Sequence, residues 1–347
     1  MTNKLRNIFI LFLGLCTVVA NAQDVHFTQF RMAPLTLNPA LAGAFSGSYR
    51  LGGLYRNQWA SAFSTPSFYI DSPITKGARK QDWIGVGGVF VSDKASVYDP
   101  ALDTEDSKTG FIKRSGFLAT AAYHLSLNKK QTRVLSAGFK VGSVGIQAGN
   151  EFIYESTLLG AGGGPTFQDN EKGKSFLDIS AGIALSGRDE KAKNYYRMGV
   201  SVNHIAAQRV ALTQTGAGSG GGRGGSKQDM WIIAHGEYGM DFGDKMLFDL
   251  AGIAQFLGGA NEIAVQGRAG YRVNEETVAL AGLGYRLGDA AAVLLGIEHK
   301  SVRVGFAYDL TLSSLTAPNN GIEFAVSYIG KIFKRPKIDP VIFCPRF

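Results

Sequence analysis

After residue 22 the sequence holds five histidines, His26, His124, His204, His235 and His299, and one cysteine, Cys344. These are the side chains best suited to metal or nucleophilic chemistry, and their spacing supports neither. Zinc ligands come in short repeats, such as two histidines one helical turn apart. No such repeat occurs. His124 and Ser126 are two residues apart, so a strand would place them on one face, where a histidine could activate a serine for acyl transfer. No G-x-S-x-G elbow accompanies them, and the pair reads more simply as two polar residues of one strand. Carboxylates gather between Asp99 and Asp106 without pairing into a site. Such loop charge is ordinarily solvated, and calcium binding is a remote use for it. The Gly-rich stretches GAGGGP at 160–165 and TQTGAGSGGGRGGSKQ at 213–228 lack the strand-to-helix setting of a phosphate cradle and are too polar to pack. The sequence offers no catalytic set, no metal site and no cofactor site. It points to a protein that is not an enzyme and gives no sign of a nucleic-acid partner.

The elements that would position these residues are strands. From Phe117 to Leu127 one parity reads Phe117, Ala119, Ala121, Tyr123, Leu125, Leu127, and the other reads Leu118, Thr120, Ala122, His124, Ser126. The same period of two runs from Ser175 to Leu185 and from Glu262 to Arg272. In the last segment Glu262, Gln266, Arg268 and Arg272 share one side, which needs water or charge partners. Its other side, Ile263, Val265, Ala269 and Tyr271, needs apolar surroundings. A soluble sandwich turns the apolar side inward, whereas a membrane barrel turns it to lipid and lines its lumen with the polar side. In a barrel the lumen would carry Arg50, Arg56, Lys140, Asp178, Arg197, Glu237, Asp249, Glu262, Arg268, Arg272, Glu298, Arg303, Asp309 and Glu323. These mixed signs suit cross-barrel ion pairs as well as a selective pore.

The joints between strands decide for the membrane. About fourteen strands are expected, near 48–58, 67–73, 83–92, 116–127, 132–146, 175–186, 194–204, 230–240, 245–257, 261–272, 277–287, 290–299, 301–310 and 320–333; an even count suits a bacterial single-chain barrel. Every even-numbered joint is short, and the three long ones, 93–115, 147–174 and 205–229, are all odd-numbered. Short periplasmic turns on one rim and long extracellular loops on the other are the outer-membrane pattern. A sandwich has no reason to sort loop length by parity. Charged residues make up 18% of the chain, below the roughly 25% of soluble domains. Past the first 22 residues no run of 18 apolar residues occurs, so a membrane would be crossed by strands. Tyr49, Tyr55, Trp59, Tyr123, Tyr238, Phe256, Tyr271, Tyr285, Tyr308 and Tyr328 could form its interfacial girdles.

The beginning of the chain reads as an export signal. Lys4 and Arg6 precede the apolar run Ile8 to Ala20, and Ala20-Asn21-Ala22 is an A-x-A cleavage site ahead of Gln23. An uncleaved anchor is the alternative; a lipoprotein reading at Cys16 is opposed by Leu15, where a small residue belongs. Cleavage would take two of the +8 charges, leaving +6, and would leave Cys344 without an intramolecular partner. The expected organisation is a signal over 1–22, a segment over 23–47, a barrel over 48–333 and a tail over 334–347. Asn38-Pro39, with Gly43 and Gly47, stops 23–47 from being one regular helix. The segment should lie on the periplasmic rim or inside the barrel as a plug. Three prolines keep the tail out of any central strand. With an even strand count both ends of the barrel reach one rim, where the two terminal segments should pack together or against a periplasmic partner.

Two stretches carry a resemblance. The first is QDVHFTQFRMAPLTLNPALAGAFSGSYRLGGLYRNQW, and the second is AYDLTLSSLTAPNNGIEFAVSYIGKIF with a tail ending CPRF. Gln29, Phe30, Pro34, Asn38, Pro39, Ala40, Ala42 and Gly43, then Arg56, Gln58 and Trp59, follow the pattern of the PorP/SprF family of type IX secretion and gliding systems. Pro66, Asp71-Ser72, Tyr308-Asp309, Ser313-Ser314-Leu315 and Cys344, Pro345, Arg346, Phe347 continue it. The chain departs from the family at Ile322, where members usually carry the His of a His-Glu pair ending at Glu323. The resemblance implies an outer-membrane barrel of the cell without known catalysis. It would bind, anchor or help export a secreted adhesin through the cargo's C-terminal domain, beside periplasmic or outer-membrane type IX components and in contact with outer-membrane lipid. The matched end residues are its candidate partner-binding positions. A component of the secretion apparatus itself, or a passive pore, is the alternative.

Overall fold

A computed structural model describes residues 26–58, 63–79, 81–98, 108–149, 175–189, 193–206, 209–210, 226–258, 260–312 and 320–332. Its strands are β1 (Tyr49–Gln58), β2 (Phe63–Lys76), β3 (Trp83–Tyr98), β4 (Lys108–Ser126), β5 (Arg133–Gly149), β6 (Phe176–Asp189), β7 (Asn194–Asn203), β8 (Arg209–Val210), β9 (Ser226–Lys227), β10 (Trp231–Phe242), β11 (Met246–Leu257), β12 (Ala260–Arg272), β13 (Thr277–Arg286), β14 (Ala290–His299), β15 (Val302–Thr311) and β16 (Gly321–Gly330). β8 and β9 form a separate two-residue ladder. The other fourteen strands pair antiparallel in chain order, and β1 pairs with β16 to close a barrel. Closure leaves no unpaired edge, the condition for strands to cross lipid. Among the described residues no helix is long and apolar enough to cross a membrane.

Burial follows the pleat. Along β16, Ile322, Phe324, Val326 and Tyr328 are exposed while Glu323, Ala325 and Ser327 are buried. Leu250 on β11 is 65% exposed and Leu283 on β13 is 68% exposed, whereas Asp249 beside Leu250 is 3% exposed. Apolar side out and charge in is the inverse of a soluble sandwich, and it suits a wall that faces hydrocarbon. Outward tyrosines gather toward two levels. Tyr49, Tyr123, Tyr271 and Tyr328 lie toward the rim of the even-numbered joints, and Tyr55, Tyr285 and Tyr308 toward the odd rim. Trp59 lies outside the described residues.

All fourteen expected wall strands are present, and β2 to β6 each run longer than expected by two residues or more. β4 has 19 residues, β5 has 17 and β3 has 16, against the about 9–11 that cross a bilayer. The ladder between β3 and β4 continues through Asp93 opposite Arg114 and Lys94 opposite Lys113. These charged pairs continue the wall beyond the apolar band, so most of the joint expected at 93–115 is strand.

The chain enters the wall at the even rim, where the Ser48 amide donates to the Gly330 carbonyl at 2.8 Å. The residues before it do not stay on that rim. They occupy the lumen as a 3-10 turn (Phe30–Met32), one helical turn (Pro34–Leu37) and a second 3-10 turn (Pro39–Leu41). Asn38 between the last two is extended, at φ −159° and ψ 122°, as a residue before proline is driven to be. Leu35, Ala40, Ala42 and Phe45 are fully buried. Residues 26–45 thus pack against the inner face of the wall.

Candidate functional site

The site that the fold positions is the filled lumen. Its upper part, toward the odd ends of β1, β13 and β16, is a charged clamp on residues 26–29. The Glu323 carboxylate accepts the backbone N–H groups of Thr28 at 2.7 Å and Gln29 at 2.8 Å. Asp309 accepts from the Thr28 hydroxyl at 2.6 Å, and from Arg56 at 3.0 Å and Arg286 at 2.8 Å. Arg286 also faces Glu262 at 3.8 Å, and His26 approaches the same carboxylate at 3.4 Å. Buried charges are expensive to desolvate and persist where each has opposite charge and hydrogen bonds around it. Here both signs come from strands far apart in sequence, with segment backbone completing the set.

The middle of the segment is held by two further anchors. Arg31 reaches out from the first turn, pairing with Glu237 at 2.9 Å, bonding Asp249 closely and donating to the Tyr195 hydroxyl at 3.1 Å. Arg197 and Arg268 flank these carboxylates at 3.3 Å and 3.0 Å. Asn38 is fully buried. Its Oδ1 caps the second 3-10 turn by accepting from the Ala40 amide at 2.9 Å. Its Nδ2 donates to the Ile183 carbonyl of β6 at 3.0 Å.

The lower end is closed backbone against backbone. Gly43 has φ +69°, and a Cβ there would meet the Gly85 Cα at 2.6 Å; one on Gly85 would lie 2.0 Å from the Ala42 carbonyl. Both positions need glycine for that approach. Asp71 accepts from the Gly43 amide at 2.7 Å and from two nitrogens of Arg50 at 2.9 and 2.7 Å. Trp83 donates to the Gly43 carbonyl at 3.1 Å.

Chemistry at His124 finds no support in this geometry. Its Nε2 meets the Ala42 carbonyl at 2.7 Å and its Nδ1 the Ser136 hydroxyl at 2.7 Å, while the Ser126 hydroxyl donates to the Asn128 carbonyl at 2.8 Å. Trp83 stacks on the imidazole at 4.6 Å. The histidine is spent on holding the segment. Among the described residues no group of His, Cys, Asp or Glu is placed to hold a metal ion.

The structure brings Gln29, Phe30, Pro34, Asn38, Pro39, Gly43 and Arg56 together inside the barrel, buried. Gln58 is half-buried at the odd end of β1. Trp59, Cys344, Pro345, Arg346 and Phe347 lie outside the described residues, as do the signal, the tail and the 99–106 carboxylates. In the wall half of the clamp, Asp309 belongs to the Tyr308-Asp309 element of the resemblance, while Arg286 and Glu262 fall in no local motif. Lumen parity flags Glu262 and Asp309, and nothing in the sequence flags Arg286.

The type IX secretion system membrane protein PorP/SprF family model matches residues 19–328. The chain belongs to the PorP/SprF family. Among curated proteins no match is found. Solved barrels share its fold at low identity. The Ralstonia pickettii toluene transporter TbuX is 12% identical, with a TM-score of 0.51 over 85% of this chain and 92% of that one. The TodX deltaS2S3 mutant monoaromatic hydrocarbon channel is 10% identical, with a TM-score of 0.54 over 91% and 97%. The Pseudomonas putida toluene transporter TodX is 10% identical, with a TM-score of 0.50 over 90% and 95%. The family and these neighbours are secretion or transport barrels rather than enzymes. This PorP/SprF member is a 14-strand barrel of the outer-membrane type, with motif residues of its family pattern anchoring the segment inside it.

Proposed function

We propose that this protein is a non-catalytic partner of the type IX route that binds, anchors or helps export a secreted surface adhesin through the cargo's C-terminal domain. The observation that supports this most is the occupied lumen: residues 26–47 are tied to the wall by three sets of buried polar anchors, so what remains for function is contact at the rims. The even rim, with its short turns, faces the periplasm and meets type IX components there. The long odd joints face outward and receive the cargo. Because the family-pattern residues from Gln29 to Gly43 are buried, they act by holding the segment, and the partner contacts fall on the surfaces the segment and rims present. Co-purification from detergent-solubilised outer membrane tests this reading. The adhesin is expected to travel with the barrel, and a deletion strain is expected to lose it from the cell surface. A barrel that purifies alone, with the adhesin still surface-bound in the deletion strain, contradicts the reading. A passive pore is disfavoured by the same buried anchors.

A further inference from the structure

A cavity lies above the middle of the segment, toward the odd rim, and the clamp takes no part in it. It measures about 60 Å³ and its lining includes Thr36, Arg114, Asp178, Asn203, His204 and Trp231. By the measure in which one water needs roughly 10–15 Å³, it has room for about four or five small groups. Asn203, the last residue of β7, is 2% exposed. Among the described residues neither its Oδ1 nor its Nδ2 has a hydrogen-bond partner. A buried carboxamide with both ends unmet is costly and marks a place where a partner belongs.

The surroundings say what kind of partner. The charges lining the cavity are already engaged: His204 Nδ1 is 3.0 Å from Asp178, Lys140 donates to the Leu35 carbonyl at 3.3 Å, and Asp93 sits opposite Arg114 in the ladder. A small free ion is therefore not what this arrangement suits. The indole of Trp231 already has His204 stacked on it at 6.2 Å and is itself 7% exposed, so it offers no open platform for a sugar ring. What fits Asn203 is one donor and one acceptor presented side by side. An extended peptide presents that pair, because the N–H and C=O of one residue point to the same side, as they do where two strands exchange both bonds. A residue's backbone unit also has about the size of the cavity.

We propose that this cavity is a peptide-binding site, in which the Asn203 carboxamide pairs with the backbone N–H and C=O of one residue of an extended segment entering from the odd rim. It deepens the cargo reading by naming the chemistry of the segment received. Its test uses the isolated full-length barrel, so it can fail while co-purification of cargo succeeds.

The probe is acetylated, amidated triglycine, titrated into the detergent-solubilised barrel while the indole N–H signal of Trp231 is followed by NMR. A saturable shift is expected. Asn203→Leu removes both hydrogen bonds and is expected to weaken binding about tenfold or more. Asn203→Asp keeps the shape and loses the donor, and is expected to weaken it as well. Should neither variant fold, the N-methylated analogue triSarcosine, which has no backbone N–H to offer, is expected not to bind the wild type. No saturable shift with triglycine, equal affinity in Asn203→Leu, equal binding of the N-methylated analogue, or the same shift with maltose would each overturn the proposal.

Discussion

Arg31 joins the segment to the wall at one point, between Glu237 and Asp249. Replacing it in Arg31→Met would leave those two carboxylates buried beside each other, with only Arg197 and Arg268 to balance them. Those two guanidiniums still match the two carboxylates, so the cost is that of the lost charge-assisted hydrogen bonds, about 1.5–3 kcal/mol each. The expected outcome is a lower thermal unfolding midpoint of the folded barrel on heat-modification gels, with Arg31→Lys recovering part of it because it keeps charge and loses the fork. A second prediction concerns pH. In the turn after β2, Asp82 accepts from Arg79 at 2.9 Å, from the Tyr123 hydroxyl at 2.9 Å and from the Ser126 amide at 3.0 Å. The hydrogen bond from Arg79, then those from Ser126 and Tyr123, hold this carboxyl below the usual 3.8 against the opposing effect of its burial. A depressed carboxyl stabilises the fold above its unfolded value and loses that contribution as pH falls through the folded one. The wild type should therefore lose stability on acidification below about pH 4 more steeply than Asp82→Asn; equal acid sensitivity of the two would count against the turn contributing. At this scale the sequence shows which charges face inward, because parity is local. It does not show that Glu323 would meet Thr28 and Gln29, since those partners are nearly the whole chain apart. The departure at Ile322 also becomes legible in the structure: that residue is 41% exposed on the outer face, while the neighbouring lumen carboxylate is retained.

The strands were legible wherever apolar residues alternate against lipid. They were least legible where β3, β4 and β5 leave the apolar band. There Lys94, Lys113 and Arg114 break the hydrophobic period while the ladder continues, so an alternation rule stops before the hydrogen bonds do. The lumen segment was legible only as a choice of two places, because three short turns leave no period to read. What fixes its place is close approach to the wall, and a substitution at the contact tests that. Gly85→Val would drive a side chain into the Ala42 carbonyl, which lies 2.0 Å from where the new Cβ would sit. It is expected to lift the lower end of the segment from β3 and expose the Gly43 region to protease added from the even side. Gly267→Ala on the outer wall, whose Cβ would meet Leu250 at an ordinary 3.4 Å, should leave the digestion pattern unchanged. Equal digestion of both variants would mean that the Gly43–Gly85 contact does not hold the segment.

At the scale of the whole molecule, a barrel of fourteen strands is wide enough to need filling, since an eight-stranded one is already filled by its own side chains. Here the filling is a stretch of the same chain, bound by Glu323 and Asp309 above, Glu237 and Asp249 in the middle and Asp71 below. On the proposed reading, a barrel filled this way works through contacts at its rims and not through an open lumen. The measurement that bears most directly on this is conductance in planar bilayers, comparing the wild type with a form lacking residues 26–47. The wild type is expected to show no steady channel, and the shortened form to open a stable one. A stable open channel in the wild type, equal to that of the shortened form, would contradict the account.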